Sequence, residues 1–126
     1  MIKNLKFNEK GLMPAVIQDE GSGKVLTLCY MNKKALLKTI NEGKVYVFRR
    51  SKNALMLKGE RSGHIQLVKS IFVDCEDNSL LIKVEQKKAA CHTGYFTCYY
   101  RELLKDGSVK ISEEKIFNPE DVYKEG

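Results

Sequence analysis

The 126-residue sequence has no run approaching the roughly 20 apolar residues that a membrane-spanning helix requires. Its first twelve residues, MIKNLKFNEKGL, lack the continuous apolar segment of a secretory signal. It also contains no internal repeat, no low-complexity tract, no Pro- or Gly-rich linker, and neither a Walker motif nor G-x-G-x-x-G. These absences favour a cytoplasmic protein with no membrane partner and a single domain over residues 1–126.

The excess of positive charge and the four cysteines are the informative features of the composition. The 22 Lys and Arg against 16 Asp and Glu give a formal net charge of +6, scattered without a run of five. Such an excess fits either a solvated basic surface or a ligand that carries phosphate. Because cytoplasmic thiols stay reduced, the four cysteines indicate metal binding or chemistry before disulfides.

Short strand-like segments separated by turn residues fill most of the chain. One segment, residues 32–44, changes to a helical period: Ala35, Leu36 and Ile40 fall on one face, Asn32 can cap the start and Gly43 the end. A second helix could begin at Asn118. The pattern predicts an α+β domain, predominantly antiparallel β with one main helix, whose strands lie at 13–18, 24–30, 44–50, 54–59, 64–74 and 80–86.

The cysteines differ in their surroundings. Cys29 sits in the apolar run VLTLCYM, where a thiol packs as a small hydrophobe. Cys75, Cys91 and Cys98 could together fill three of zinc's four positions, leaving one open for water. A structural zinc would instead need a fourth protein ligand, which Cys29 or His92 could supply. Neither pair has C-x-x-C spacing, so the spacing leaves both kinds of site open.

His92 and the acidic turn CEDNS each allow two interpretations. His92 follows Cys91 directly and could act as a general base near a metal, or it could be an ordinary surface residue. Asp74, Glu76 and Asn78 alternate along the chain, which in extended backbone places them on the face opposite Cys75. Their oxygens suit magnesium, although a polar turn between two strands is the simpler explanation and the one that the residues alone favour.

Residues 48–66, FRRSKNALMLKGERSGHIQ, gather basic side chains, serines and glycines. Gly59 and Gly63 would let backbone amides approach an anion, and Arg and Lys would neutralise phosphate. The segment is therefore a candidate anion-binding region, with the charges at Arg49, Arg50, Lys52, Lys58 and Arg61.

Taken together, these segments closely resemble the phosphoribosyl-AMP cyclohydrolase family. The resemblance runs from about Gly11 to Arg101 and rests on GLMPAVIQD, VLTLCYMNKKAL, FRRSK, KGERSGHIQ, VDCED and the CHTG-to-Cys98 element, in the family's order and spacing. The pattern CHTG-x-x-[ST]-C preceded by D-C is highly specific to that family.

The resemblance implies hydrolysis of the N1–C6 bond of the adenine ring in 1-(5-phosphoribosyl)-AMP, giving the formimino-aminoimidazole carboxamide ribotide in the third step of histidine biosynthesis. Zinc on Cys75, Cys91 and Cys98 would activate the attacking water, and His92 would carry the proton. It also implies a homodimer with sites at the subunit interface, and no polynucleotide partner. The substrate phosphates would meet candidates drawn from Arg50, Ser51, Lys52, Lys58, Ser62, Gly63 and His64.

The chain departs from the family pattern in three places. The family's magnesium motif D-C-D-x-D reads D-C-E-D-N here. Glu76 keeps the negative charge on a longer side chain, and Asn78 keeps an oxygen but carries no charge. S-R-S-R reads RRSK over 49–52, and Met56 replaces a frequent aromatic. We expect magnesium to bind more weakly, or through Asp77, and the fused pyrophosphohydrolase domain to be absent.

Two rival functions predict different features. A zinc-stabilised binding module would use four protein ligands and bind RNA or DNA with strong salt dependence. A nucleobase deaminase would carry H-x-E with P-C-x-x-C, and that signature is missing from the sequence.

Overall fold

A computed structural model describes residues 4–58, 65–86 and 95–115. In these ranges the chain runs β1 (Met13–Asp19), β2 (Val25–Met31), α1 (Lys33–Glu42), β3 (Tyr46–Arg49), β4 (Ala54–Leu57), β5 (Gln66–Val73), β6 (Leu80–Gln86), β7 (Arg101–Leu103) and β8 (Val109–Ile111). The α+β class with one main helix is confirmed for these ranges. The helix considered near Asn118 lies outside them.

The main sheet has four strands in the order β2-β1-β6-β5. β1 and β2 form an antiparallel hairpin, as do β5 and β6, but β1 and β6 run parallel to each other. The sheet is therefore mixed, but the other described strand pairs are antiparallel, so the predominantly antiparallel character is confirmed for these ranges. Two separate antiparallel hairpins, β3-β4 and β7-β8, complete the described strands.

Side-chain alternation builds the hydrophobic core. Met13, Ala15 and Ile17 project from one face of β1 and are fully buried, as expected for the period of two in a strand. Ile82 and Val84 of the neighbouring β6 lie on the same face. β1 and β6 are therefore the central strands, and each pairs with one edge strand, β2 or β5.

Helix α1 packs against β3 and closes the core. Its ends are as predicted: the side chain of Asn32 accepts a hydrogen bond from the backbone of Ala35 at 2.8 Å, and Gly43 ends the helix with a left-handed φ of 71°. The predicted apolar face is wrong at Ile40, which is 39% exposed. Thr39 is buried instead. Its hydroxyl donates to the carbonyl oxygen of Ala35 and accepts from the amide of Tyr46, so this polar group has partners inside the core.

Within the described residues, no helix is both long and apolar enough to span a membrane.

Candidate active site

The candidate zinc ligand Cys98 is attached to the outer edge of the main sheet. Its backbone N–H donates to the carbonyl oxygen of Leu26 in β2 at 2.6 Å. The adjacent Thr97 is buried, and its hydroxyl donates to the carbonyl of Val25 at 2.6 Å while accepting from the backbone of Tyr99 at 2.9 Å. The Cys98 side chain is exposed. Backbone and hydroxyl bonds thus fix this cysteine on β2.

Cys75 occupies the turn between β5 and β6 and its side chain is exposed. Residues 75–78 form a turn, as CEDNS predicted, and not the extended backbone that would place the acidic side chains opposite Cys75. The Asp74 carboxylate instead accepts from the backbone amides of Asn78 at 2.9 Å and Ser79 at 3.2 Å.

The hydrogen bond from the Asn78 backbone, with that of Ser79, holds the pKa of the Asp74 carboxyl below its ordinary value, since these donors stabilise the charged form. Glu76 is exposed at the tip of the turn. The prediction that Asp74, Glu76 and Asn78 hold magnesium stays a prediction.

Among residues 4–58, 65–86 and 95–115, no three His, Cys, Asp or Glu side chains gather as they would around a metal ion. Two of the three predicted zinc ligands, Cys75 and Cys98, lie in these ranges. Cys91 and the predicted proton carrier His92 lie outside the described residues. The zinc ligand set therefore stays a prediction.

Cys29 has the structural role predicted for it. The residue packs against the hydrophobic core, and its Sγ lies 3.6 Å from the carbonyl oxygen of Ala15. Burial raises the pKa of the Cys29 thiol from its ordinary value of 9.0 to about 12, with a smaller opposing effect from Lys58. A thiol with such a pKa stays protonated near neutral pH and is a poor metal ligand.

The β3-β4 turn presents the described part of the basic region. Arg50, Ser51 and Lys52 are exposed there, and Lys58 is half-buried after β4. The guanidinium carbon of Arg50 lies 4.3 Å from the ring centroid of Tyr30, so the aromatic face supports this side chain. The other predicted binding residues, Ser62, Gly63 and His64, lie outside the described residues.

A shallow depression of about 420 Å³ adjoins the Cys75 turn. Val16 and Leu81 form its floor, because they are paired in register on the face of the sheet away from the core. Phe72 forms one side and is 50% exposed, and Asp74 borders the depression.

The sequence did not point to Thr97 or Tyr30. It also did not predict that the Asn78 backbone amide donates to the Asp74 carboxylate. Thr97 carried a usable signal, because it occupies the [ST] position directly before Cys98 in the recognised motif. Tyr30 carried no such signal, since its contact with Arg50 joins residues 20 positions apart through the fold.

Comparisons with known proteins identify the family of the chain. The family model for phosphoribosyl-AMP cyclohydrolase matches residues 27–100. A phosphoribosyl-AMP cyclohydrolase from Pelotomaculum thermopropionicum is 49% identical over 122 residues, which cover 97% of this chain and 95% of that protein. A phosphoribosyl-AMP cyclohydrolase from Chlorobium phaeovibrioides is 44% identical over 122 residues, which cover 97% of this chain and 89% of that protein.

A third relative is longer. The histidine biosynthesis bifunctional protein HisIE of Thermoanaerobacter pseudethanolicus is 48% identical over 98% of this chain, which spans 56% of that protein. The match to the family model and the extent of these identities place the chain in a hydrolase family. It belongs to the phosphoribosyl-AMP cyclohydrolase family.

Proposed function

We propose that this chain opens the adenine ring of 1-(5-phosphoribosyl)-AMP by hydrolysing the N1–C6 bond, with zinc held by Cys75, Cys91 and Cys98. Membership of the family carries the reaction itself, the ring-opening step of histidine biosynthesis. The metal, the roles of individual residues and the assembly are the parts that this proposal adds.

The donor chemistry of the described cysteines supports zinc. Thiolate sulfur is a preferred zinc ligand, and both Cys75 and Cys98 present exposed side chains from defined backbone positions. Cys29 is unsuited because it is partly buried against the core and the pKa of its thiol is raised. When bound, zinc supplies a Lewis acid that lowers the pKa of water. His92, next to Cys91 in sequence, would transfer protons at the reacting atoms.

The β3-β4 turn supports recognition of the substrate's phosphates. Arg50 offers a planar guanidinium with several donors, and the ring of Tyr30 limits its orientations. Ser51 and Lys52 follow in the same exposed turn. We assign this turn to one phosphate group, and Lys58, Ser62, Gly63 and His64 to the binding of the rest of the nucleotide.

We also propose that the working form is a homodimer with its sites at the subunit interface. The β7-β8 hairpin exposes an apolar face, here called the hairpin face, formed by Leu103, Val109 and Ile111 at 73%, 54% and 57% exposure. An isolated two-stranded hairpin is marginally stable, and monomers rarely expose such clusters. Burial against a second copy would account for it, and could bring Cys75 of one chain to Cys98 of the other.

The proposed reaction is tested by incubating the purified, zinc-loaded protein with 1-(5-phosphoribosyl)-AMP and identifying the product. Ring opening adds one water and retains the exocyclic nitrogen, whereas deamination would release ammonia. AMP, which lacks the N1 ribosyl group, is the matched control. Ring-opened product from the first substrate alone supports the proposal, and ammonia release or no reaction contradicts it.

A further inference from the structure

Tyr95 and Tyr100 stack against each other across the loop that carries Cys98. Their ring centroids lie 3.8 Å apart and the ring planes differ by 5°. The contact joins the two ends of residues 95–100, here called the Cys98 loop. Tyr95 is buried and Tyr100 is half-buried. At this separation no water fits between the rings, so the pair closes the loop by direct contact.

The middle of the Cys98 loop is fixed by contacts of another kind. The Cys98 amide donates to the Leu26 carbonyl at 2.6 Å, and the Thr97 hydroxyl donates to the same oxygen at 3.2 Å. The side chain of Phe96 packs against the hydrophobic core. The loop therefore directs Phe96 and Thr97 inward and Cys98 outward, where its side chain is exposed.

The segment after β8 supports both ends of the loop. The backbone amide and the hydroxyl of Ser112 donate to the Tyr100 carbonyl at 2.8 and 3.2 Å. Lys115 forms an isolated antiparallel bridge with Tyr95. Residues 112–115 thus hold the backbones of the two tyrosines close to one another, in agreement with the stacking of their rings.

Rings, backbone groups and the Thr97 hydroxyl make these contacts, so closure of the loop does not use the Cys98 thiol. A segment that is already ordered loses little conformational entropy when its ligand binds. A closed Cys98 loop therefore presents its exposed side chain to a ligand at a low entropic cost.

We propose that Tyr95 and Tyr100 are positioning residues, whose stacked rings keep the Cys98 loop closed against β2 so that the Cys98 thiol is in place before zinc binds. This inference rests on the proposed function, because it takes Cys98 as a zinc ligand. The rings act on the reaction only through Cys98, as the outer partners of a metal ligand do.

Zinc affinity, measured with a competing chelator, is the first test. Tyr95→Leu keeps an apolar side chain but removes the stack, and should weaken zinc binding by about twofold to tenfold, the effect expected of one aromatic pair. Tyr95→Phe retains the ring and should bind zinc as wild type does. Tyr99→Leu removes a 54% exposed ring from the same loop and is the matched control. Wild-type affinity in Tyr95→Leu, or an equal loss in Tyr99→Leu, would overturn the proposal.

The visible absorption of cobalt-loaded protein separates positioning from general stability. Co²⁺ bound by thiolates has bands that depend on the number and geometry of the sulfur ligands. At saturating Co²⁺, Tyr95→Leu and Tyr100→Leu should show shifted or weaker bands, whereas Tyr95→Phe and Tyr99→Leu should match wild type. Wild-type bands in both Tyr95→Leu and Tyr100→Leu would mean that the stack contributes only to folding, and would overturn the proposal.

Hydrogen exchange in the zinc-free protein tests the closure of the loop without a metal. The Cys98 amide should exchange about twofold to tenfold faster in Tyr95→Leu than in wild type, and at the wild-type rate in Tyr99→Leu. Equal exchange in Tyr95→Leu and wild type would refute the closure. Absence of cobalt–thiolate bands in wild type would instead refute the proposed function, so the two failures are distinguishable.

Discussion

The backbone amide of Cys98 lies 2.6 Å from the carbonyl oxygen of Leu26, so a candidate zinc ligand is hydrogen-bonded to a buried residue of β2. This bond joins residues 72 positions apart, and Thr97 reinforces it from the preceding position. The position of Cys98 is therefore set by the sheet rather than by its own loop.

Replacing Thr97 tests this attachment. Thr97→Val keeps the shape but removes the hydroxyl, so the part-buried hydrogen bonds to the Val25 carbonyl and from the Tyr99 amide are lost. We expect a loss of about 1–3 kcal/mol in the free energy of unfolding, measured with urea. We also expect faster loss of zinc to a chelator. Thr97→Ser retains the hydroxyl and should stay close to wild type in zinc retention; equal zinc retention in both variants would count against the attachment.

Replacing single cysteines separates the proposed ligands from the structural thiol. Cys75→Ser, Cys91→Ser and Cys98→Ser should each lose zinc and turnover together, because removing one of three thiolates leaves an incomplete site. Cys29→Ala should retain zinc and turnover, with a modest loss of stability from the small cavity. Zinc per chain and initial rates are the readouts. Turnover that persists without zinc in the first group would exclude the metal site.

The raised pKa of the partly buried Cys29 thiol should make stability depend on alkaline pH. Its pKa is about 12 in the folded chain and 9.0 ordinarily, so the unfolded chain releases this proton first as the pH rises. The stabilisation is complete below pH 9.0 and is lost between 9.0 and about 12, at up to about 1.4 kcal/mol per pH unit. Urea unfolding of wild type and Cys29→Ala isolates this contribution from other groups. Parallel curves for the two proteins would mean that Cys29 ionises equally in both states.

Arg50 is predicted to contribute to substrate binding. Arg50→Ala should raise KM by about 10- to 100-fold, since a charged hydrogen bond to phosphate contributes about 1.5–3 kcal/mol. Tyr30→Leu should produce a smaller increase and Tyr30→Phe almost none, because the ring supports the guanidinium through its face. Lys34→Ala, which removes an exposed charge from α1, is the control. An unchanged KM for Arg50→Ala would remove this turn from the binding site.

The hairpin face is predicted to lie in the homodimer interface. Leu103→Glu places a charge on that face and should convert dimers to monomers with loss of turnover. Lys110→Glu changes charge on the opposite face of the same hairpin and should leave the dimer intact. Light scattering coupled to size exclusion gives the mass of each. A wild-type monomer, or a dimeric Leu103→Glu variant, would contradict this arrangement.

Local chemistry made most of the described elements predictable. Asn32 and Gly43 fixed both ends of α1 because a cap needs only a side-chain acceptor and a left-handed residue. Strand alternation identified β1 to β6 but carries no information on partners, so the parallel β1-β6 pair could not be foreseen. The β7-β8 hairpin was not predicted, although Gly107, with a φ of 89°, marks its turn.

The candidate site was predictable in its residue types and less so in its contacts. The motif around Cys98 indicated a ligand, but its bond to Leu26 depends on the distant strand β2. Asn78 is predicted to be an oxygen ligand of magnesium and stays so, while the structure adds that its backbone amide donates to the Asp74 carboxylate. Such contacts depend on tertiary geometry, which spacing along the chain does not encode.

The central claim is that turnover depends on zinc held by the cysteines. The most direct measurement is the rate of 1-(5-phosphoribosyl)-AMP ring opening alongside zinc per chain, before chelation, after chelation and after zinc is returned. The account predicts about one zinc per chain, a rate that falls in proportion to zinc removed, and recovery on its return. An unchanged rate in zinc-free protein, or full zinc occupancy with no ring opening, would contradict it.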